Sequence, residues 1–233
     1  MANNLGMLYI VATPIGNLGD ISLRALEILK TVDAIFCEDT RQTLKLLDYY
    51  EIATKTYPFK RDSDYGAIDR IAEMLFQKDS VAIVSDAGTP GINDPGARLI
   101  SELVSRMPQL CIVPIPGANA AISALSVSGF PSERWSYWGF IPNKKGRQTY
   151  FKKIAENKDV VICYESKYRI TKTLQELKDA LAVMDQSDRQ IMIARELTKL
   201  HETIYRGTVA QVRAMLGEDE VLGEFVLIVG PNR

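Results

Sequence analysis

The first half of the chain alternates short apolar runs with helical periods. Met7-Leu8-Tyr9-Ile10-Val11-Ala12 is continuous, apolar and partly β-branched, and predicts a strand. Ser22 then stands as a cap before Leu23, Leu26 and Leu29, spaced to share one helical face. Further strand-like runs are Ala34-Ile35-Phe36-Cys37, an extended piece near Thr56-Tyr57, residues 80–84, and Leu110-Cys111-Ile112-Val113-Pro114-Ile115. Helices fit around Leu44 and Leu47, over 65–77, and from Pro95 to Arg106. Such alternation predicts a doubly wound parallel sheet, with right-handed crossovers and helices on both faces. The loops at 13–17, 38–41, 85–93 and 116–120 then open on one edge, where open parallel sheets bind their ligands.

The texture shifts after Gly129-Phe130-Pro131-Ser132. Strands are expected at 135–140, 159–165, 190–194 and 224–230, separated by helices near 147–156, 168–183 and 208–215. Spacing does not set strand direction there. A domain boundary is placed near residue 131, giving α/β domains over 1–131 and 132–233 with a cleft between them. No internal repeat or low-complexity segment interrupts the chain.

Composition narrows the class. A chain of 233 residues, 46% hydrophobic and 24% charged, has ample sequence for a packed core and nothing that suggests disorder. Its apolar runs are too short to span a membrane, and Met1-Ala2-Asn3-Asn4 lacks the basic region of a signal peptide, so a cytoplasmic protein is expected. Cys37, Cys111 and Cys163 each sit in a strand-like run and read as buried thiols. With His201 the sole histidine, no metal site is expected. A net charge of −1 removes the footprint of a strong nucleic-acid binder and leaves local basic patches.

The most informative stretch is Ser85-Asp86-Ala87-Gly88-Thr89-Pro90-Gly91-Ile92-Asn93-Asp94-Pro95-Gly96, directly after a buried strand. It reads either as a tight connection, with Asp94-Pro95 capping and opening a helix, or as a loop whose glycines let main chain approach a ligand. The first strand ends in Thr13-Pro14-Ile15-Gly16-Asn17, without the G-x-G-x-x-G spacing or a P-loop lysine, which disfavours pyrophosphate. The second ends in Glu38-Asp39-Thr40-Arg41, either an acidic pair for proton transfer or a capping Asp39 with a surface ion pair. Pro116-Gly117-Ala118-Asn119-Ala120-Ala121 puts small residues at a helix start. Later strands end in Tyr164-Glu165-Ser166 and Ala194-Arg195-Glu196, where Arg195 and Glu196 are the preferred functional pair. His201 has no nucleophile pattern beside it and reads as a surface residue. Lys144, Lys145, Arg147, Lys152 and Lys153 form a run without an acid, either a solvated helix face or a phosphate contact near Trp135, Tyr137 and Trp138.

Together, residues 8–20, Cys37-Glu38-Asp39-Thr40-Arg41, the whole 85–96 loop, Ala194 to Lys199 and Gly223-Glu224-Phe225-Val226-Leu227 resemble the bacterial small-subunit ribosomal RNA cytidine ribose 2′-O-methyltransferases of the tetrapyrrole methylase superfamily. The resemblance implies a two-lobed α/β fold, its first sheet five-stranded and mainly parallel and its second mixed, in a homodimer. It implies S-adenosylmethionine in the cleft, held by Pro14, by Ser85, Asp86, Ala87, Gly88, Thr89, Pro90 and Ile92, by Pro116, Gly117, Ala120 and Ala121, and by Tyr164 and Ala194. Transfer to a ribose hydroxyl would use Glu38, Asp39 or Glu196 as proton acceptor, with Arg41 and Arg195 on neighbouring phosphates. Lys144, Lys145, Arg147, Lys152, Lys153 and Arg169 would contact the RNA of the small ribosomal subunit. The chain departs from the family pattern at Tyr57-Pro58-Phe59-Lys60-Arg61 and Ser166-Lys167-Tyr168-Arg169, where relatives carry histidines, and it ends at Arg233, where many continue into a helical extension. Two other readings stay open: C-methylation of a tetrapyrrole, and a non-catalytic module that binds adenosylmethionine.

Overall fold

The computed structural model describes residues 5–59, 65–217 and 222–232. By contact the chain divides into two units, Met1–Asn119 and Ala120–Arg233. In the first, strands β1 (Met7–Val11), β2 (Ala34–Cys37), β3 (Thr56–Pro58), β4 (Val81–Val84) and β5 (Cys111–Ile115) form one sheet in the order β3-β2-β4-β1-β5. Every neighbouring pair is parallel, as the alternation of strand and helix predicts.

Two-residue periodicity lets each strand feed two cores. Val11, Ile35, Cys37, Val84 and Ile115 pack against Ala25 and Leu29 of α1 (Leu23–Thr31) and Leu47 of α2 (Thr40–Tyr49). Leu8, Ile10, Phe36, Val81 and Ile83 pack against Ile71 and Leu75 of α3 (Tyr65–Phe76) and Leu99 and Leu103 of α4 (Gly96–Arg106). Burial of each large side chain contributes about 1.5–3 kcal/mol. Helices α1 and α2 thus cover one face, α3 and α4 the other. The chain therefore turns to opposite faces after β1 and β4, which are neighbours, and the loops beyond them part at a topological switch point.

Local signals set the helix starts. Ser22 accepts the Ala25 N–H at 3.1 Å, a cap of the kind worth about 1 kcal/mol. Helix α4 begins one residue later than expected, at Gly96, with Pro95 at the cap position. Asp94 instead turns its carboxylate back to accept the Gly91 N–H at 2.8 Å and the Gly96 N–H at 2.7 Å, closing the loop on itself. Cys37 and Cys163 are buried as expected, but Cys111 is exposed, because β5 is an edge strand and Cys111 is its first residue.

The second unit contains α5 (Ala120–Ser126), β6 (Trp135–Phe140), α6 (Arg147–Glu156), β7 (Val160–Ser166), α7 (Ile170–Val183), β8 (Gln190–Arg195), β9 (Thr203–Thr208), α8 (Val209–Met215) and β10 (Glu224–Val229). Its sheet runs β6-β7-β10-β8-β9, with β6 and β7 parallel and every other pair antiparallel. Val161, Cys163, Ile193, Phe225 and Leu227 face α6, α7 and α8, while Val160, Ile162, Met192, Ala194, Val226 and Ile228 face α5. Because α5 packs on β7 and β10, it belongs to this unit, and the Gly129-Phe130-Pro131 break lies inside it. Strand β9 is the element the sequence reading missed. The charged stretch 196–202 before it hides an antiparallel hairpin with β8, although Ile204 and Tyr205 carried a strand signal.

Candidate functional site

Three loops meet at the switch point of the first unit. Thr13, after β1, and Gly88, after β4, exchange both main-chain hydrogen bonds at 3.0 Å. The Thr13 hydroxyl donates to the Ser85 carbonyl at 3.1 Å, and the Ser85 hydroxyl to the Gly88 carbonyl at 3.1 Å. Thr89 donates to the Ala118 carbonyl at 3.1 Å, which brings in the loop after β5. Gly88 holds φ of +85°, and a Cβ there would meet Ile15 Cγ2 at 3.3 Å and the Ala118 carbonyl at 3.6 Å. At Gly117 a Cβ would approach that of Ala12 to 2.9 Å. Only glycine suits either place. The structure thus gathers Pro14, Ser85 to Ile92, Pro116 and Gly117 at one sheet edge, in a frame of main chain and hydroxyls that contains no lysine.

Beside it, Glu38, Asp39, Thr40, Arg41 and Pro58 line a cavity of about 360 Å³ at the ends of β2 and β3. Asp39 caps α2, accepting the Arg41 N–H at 2.9 Å, and grips the Arg41 guanidinium at 2.8 and 3.1 Å. That guanidinium holds the Asp39 carboxyl down at about 2. The Asp39 N–H donates to Asp86 at 3.0 Å, tying this cavity to the 85–96 loop. Of the departures from the family pattern, Phe59 is buried, and Lys60 and Arg61 lie outside the described residues.

In the second unit Ala120, Ala121, Tyr164 and Ala194 come together in the cluster beneath α5, with Leu197, which the sequence reading did not single out. Tyr164 accepts the Ala121 N–H at 3.1 Å, and its ring meets Tyr137 edge-on at 5.1 Å. Burial pushes both phenols above their ordinary range. Arg195 and Glu196 build the hairpin loop that follows. Arg195 donates to the carbonyls of Leu222 at 2.8 Å and His201 at 3.0 Å. The Glu196 carboxylate accepts the Glu224 N–H at 2.8 Å and the Lys199 ammonium at 3.0 Å. Burial raises the Glu196 carboxyl, yet these donors more than offset it and its net shift is downward. Glu196 and Thr198 both adopt left-handed backbone, with φ of 49° and 67°, which these interactions must hold in place. His201 is exposed.

The basic segment divides in two. Lys144, Lys145, Lys152 and Lys153 are exposed, and Lys152 lies 3.8 Å from Glu156. Arg147, expected on RNA, is 4% exposed. It donates to Glu176 at 2.5 Å, to the Pro142 carbonyl at 2.9 Å and to Thr173 at 2.5 Å, with Glu165 at 3.5 Å. Arg169 likewise turns inward, reaching Glu165 at 2.6 Å, the Ile141 carbonyl at 2.9 Å and Asn143. An arginine in a basic run looks like its neighbours in sequence; the distant Glu165, Thr173 and Glu176 decide its place. Among the described residues, no group of histidine, cysteine and carboxylate side chains is placed to hold a metal, and no helix is long and apolar enough to cross a membrane.

The comparisons agree on kinship. A family model described as Tetrapyrrole (Corrin/Porphyrin) Methylases matches residues 7–213. The ribosomal RNA small subunit methyltransferase I of Escherichia coli O157:H7 is 44% identical over 230 residues, covering 97% of this chain and 78% of that protein. That of Thermotoga maritima is 39% identical over 225 residues, covering 97% and 98%. Among solved structures, the cobalamin biosynthetic enzyme cobalt precorrin-4 methyltransferase matches with a TM-score of 0.69 at 15% identity, over 96% of this chain and 94% of that one. Uroporphyrin-III C-methyltransferase from Thermus thermophilus gives 0.63 at 16% identity, over 97% and 94%. Likeness at such identity speaks for the fold, and that at about 40% for closer descent. The chain belongs to the tetrapyrrole (corrin/porphyrin) methylase family.

Proposed function

We propose that this protein is an S-adenosylmethionine-dependent methyltransferase that modifies the ribose 2′-hydroxyl of a cytidine in small-subunit ribosomal RNA. The observation that carries the substrate is the identity of about 40% across 97% of the chain with relatives named for that RNA. Tetrapyrrole C-methylation rests on the description of the family and on neighbours at 15–18% identity, which speak for the fold.

The loops at the switch point fit the cofactor. S-adenosylmethionine carries no phosphate, and the 85–96 loop offers main chain, hydroxyls and a Gly88 cradle that a Cβ would fill, with no lysine. When bound, the cofactor supplies an electrophilic sulfonium methyl, so the protein's main task is alignment, worth up to about 7–11 kcal/mol in well-oriented systems. Cofactor contacts are proposed from Pro14, Ser85 to Pro90, Ile92, Pro116 and Gly117, and in the second unit from Ala120, Ala121, Tyr164 and Ala194. Asp39, held at about 2, and Glu196, shifted downward, are poor proton acceptors. Glu38 lines the same cavity as Asp39 and is the carboxylate proposed to take the hydroxyl proton as the methyl–oxygen bond forms. The protein acts as a cytoplasmic homodimer in this reading, a state that light scattering measures directly.

The test is to incubate the protein with methyl-labelled cofactor and small ribosomal subunits that lack the modification, then digest the RNA to nucleosides. Label is expected on cytidine ribose. Label on a base, or none in RNA, would overturn the proposal.

A further inference from the structure

Strands β6 and β7 are parallel, so the loops that leave them, 141–146 and 166–169, emerge at the same end of the second unit's sheet. Glu165, the last buried residue of β7, has a side chain with 0% exposure and lies between two arginines, Arg169 at 2.6 Å and Arg147 at 3.5 Å. Its other contacts are the Thr173 hydroxyl at 2.5 Å and the Ser166 N–H at 2.7 Å. The arginines pass this anchorage outward. Arg147 holds the Pro142 carbonyl, and Arg169 holds both the Ile141 carbonyl and the Asn143 side chain, so the two loops are fastened to one buried carboxylate.

What the fastened loops show to solvent is distinctive. Lys144, Lys145 and Lys167 are exposed, and none forms a salt bridge among the described residues. Tyr168 is 85% exposed, with the Lys167 ammonium 4.9 Å from its ring centroid, and Phe140 before the first loop is 53% exposed. Neither loop contains an acid, and the carboxylate beneath them, Glu165, is buried. A surface of positive charge with an open aromatic face, on backbone that is already ordered, suits a polyanion whose bases are unpaired. A duplex offers phosphates but no free base face, and an acidic protein segment offers charge but nothing to stack.

We propose that loops 141–146 and 166–169 form a preassembled docking surface for single-stranded RNA, where Lys144, Lys145 and Lys167 meet phosphates and Tyr168 stacks a base. Glu165, Arg147 and Arg169 are positioning residues beneath it. This rests on the function proposed above and names a part of the protein that grips its substrate. It moves Arg147 and Arg169 from the RNA to the frame that presents Lys167 and Tyr168.

The experiment measures two things across a range of salt: binding of polyuridylate, and kcat and KM for unmodified small ribosomal subunits. Replacing Lys144, Lys145 and Lys167 together with Gln should reduce the slope of log affinity against log salt by about 2, at roughly 0.7 per lysine on a single strand. Tyr168→Ala should weaken polyuridylate binding and raise subunit KM by about five- to a hundredfold, with kcat and cofactor affinity within about twofold and Tyr168→Phe restoring KM. Glu165→Gln should raise subunit KM without changing cofactor affinity, and the surface variants decide between outcomes if this one folds poorly. The proposal falls if the unaltered protein methylates ribose while the surface variants keep its KM and salt slope. It also falls if they lose affinity for subunits but not for polyuridylate, which would point to a ribosomal protein. If the unaltered protein places no methyl in RNA, the proposed function falls with it, a result seen before any variant is made.

Discussion

Asp39 and Glu38 are adjacent in sequence and line the same cavity, and the proposed mechanism gives them different work. With its carboxyl at about 2, Asp39 is ionised throughout the range in which an enzyme of this kind operates. Its sign follows from the depression: the ion pair with Arg41 is fully present above the ordinary aspartate value, near 4, and is lost only as pH falls through about 2. Asp39→Asn is therefore expected to leave the acid limb of the methyl-transfer pH profile where it was. Glu38→Gln should lower kcat by about 10²- to 10⁴-fold with little change in cofactor affinity, as loss of a general base does. Equal pH–rate profiles for unaltered protein and Glu38→Gln would remove Glu38 from the proton transfer. The sequence offered Asp39 as a capping residue with a surface ion pair, but left the proton acceptor open among Glu38, Asp39 and Glu196. What the sequence could not supply was Asp86, 47 residues away, on the Asp39 N–H.

At the scale of elements, the buried cation Arg189 joins three segments and has no carboxylate partner among the described residues. It donates to the carbonyls of Gly230 at 2.8 Å, Ile154 at 3.1 Å, Ala155 at 3.3 Å and Asn157 at 2.9 Å, and to the Gln186 side chain at 3.0 Å. Burial lowers its value to about 10, which still leaves it charged at neutral pH. The carbonyls at the end of α6 are those a helix leaves unpaired, so the guanidinium closes that helix onto the ends of β8 and β10. Arg189→Met should cost about 2–4 kcal/mol in denaturant unfolding because it removes the donor to the Gly230 and Asn157 carbonyls and to the Gln186 side chain. Arg189→Lys should recover only part, since one ammonium cannot span the set. A change under about 0.5 kcal/mol, the range of an ordinary surface substitution, would refute this account. Elements dominated by local pattern, such as α1 behind Ser22 and the apolar β4, were legible from sequence. Strand β9 and the roles of Arg147, Arg189 and Arg195 were not, because each depends on partners set by tertiary pairing.

Over the whole molecule, the two units have separate cores and different kinds of sheet, one all parallel and one mixed. Trp135 and Trp138 are the chain's two tryptophans, and both lie in the second unit. Denaturant unfolding followed by tryptophan fluorescence should then report the second unit alone, with a midpoint distinct from that of circular dichroism, which sees both. Coincident transitions would show that the units unfold as one. The alternation that predicts the first sheet said little about the second, whose strand directions are set by pairing over long separations. The Thr13–Gly88 bridge has a consequence for synthesis. Of this sheet's strands β1 is made first, but its place lies between β4 and β5, so it gains its first neighbour only once Val84 is made and its second once the chain has grown past Ile115. Parallel pairing at such separation is slow and exposes apolar surface while it waits. The site is thus completed late, because Thr89 of the loop that Gly88 closes donates to the Ala118 carbonyl beyond β5. A nascent chain stalled before that point would have a hydrophobic strand to shield and no assembled site at the switch point.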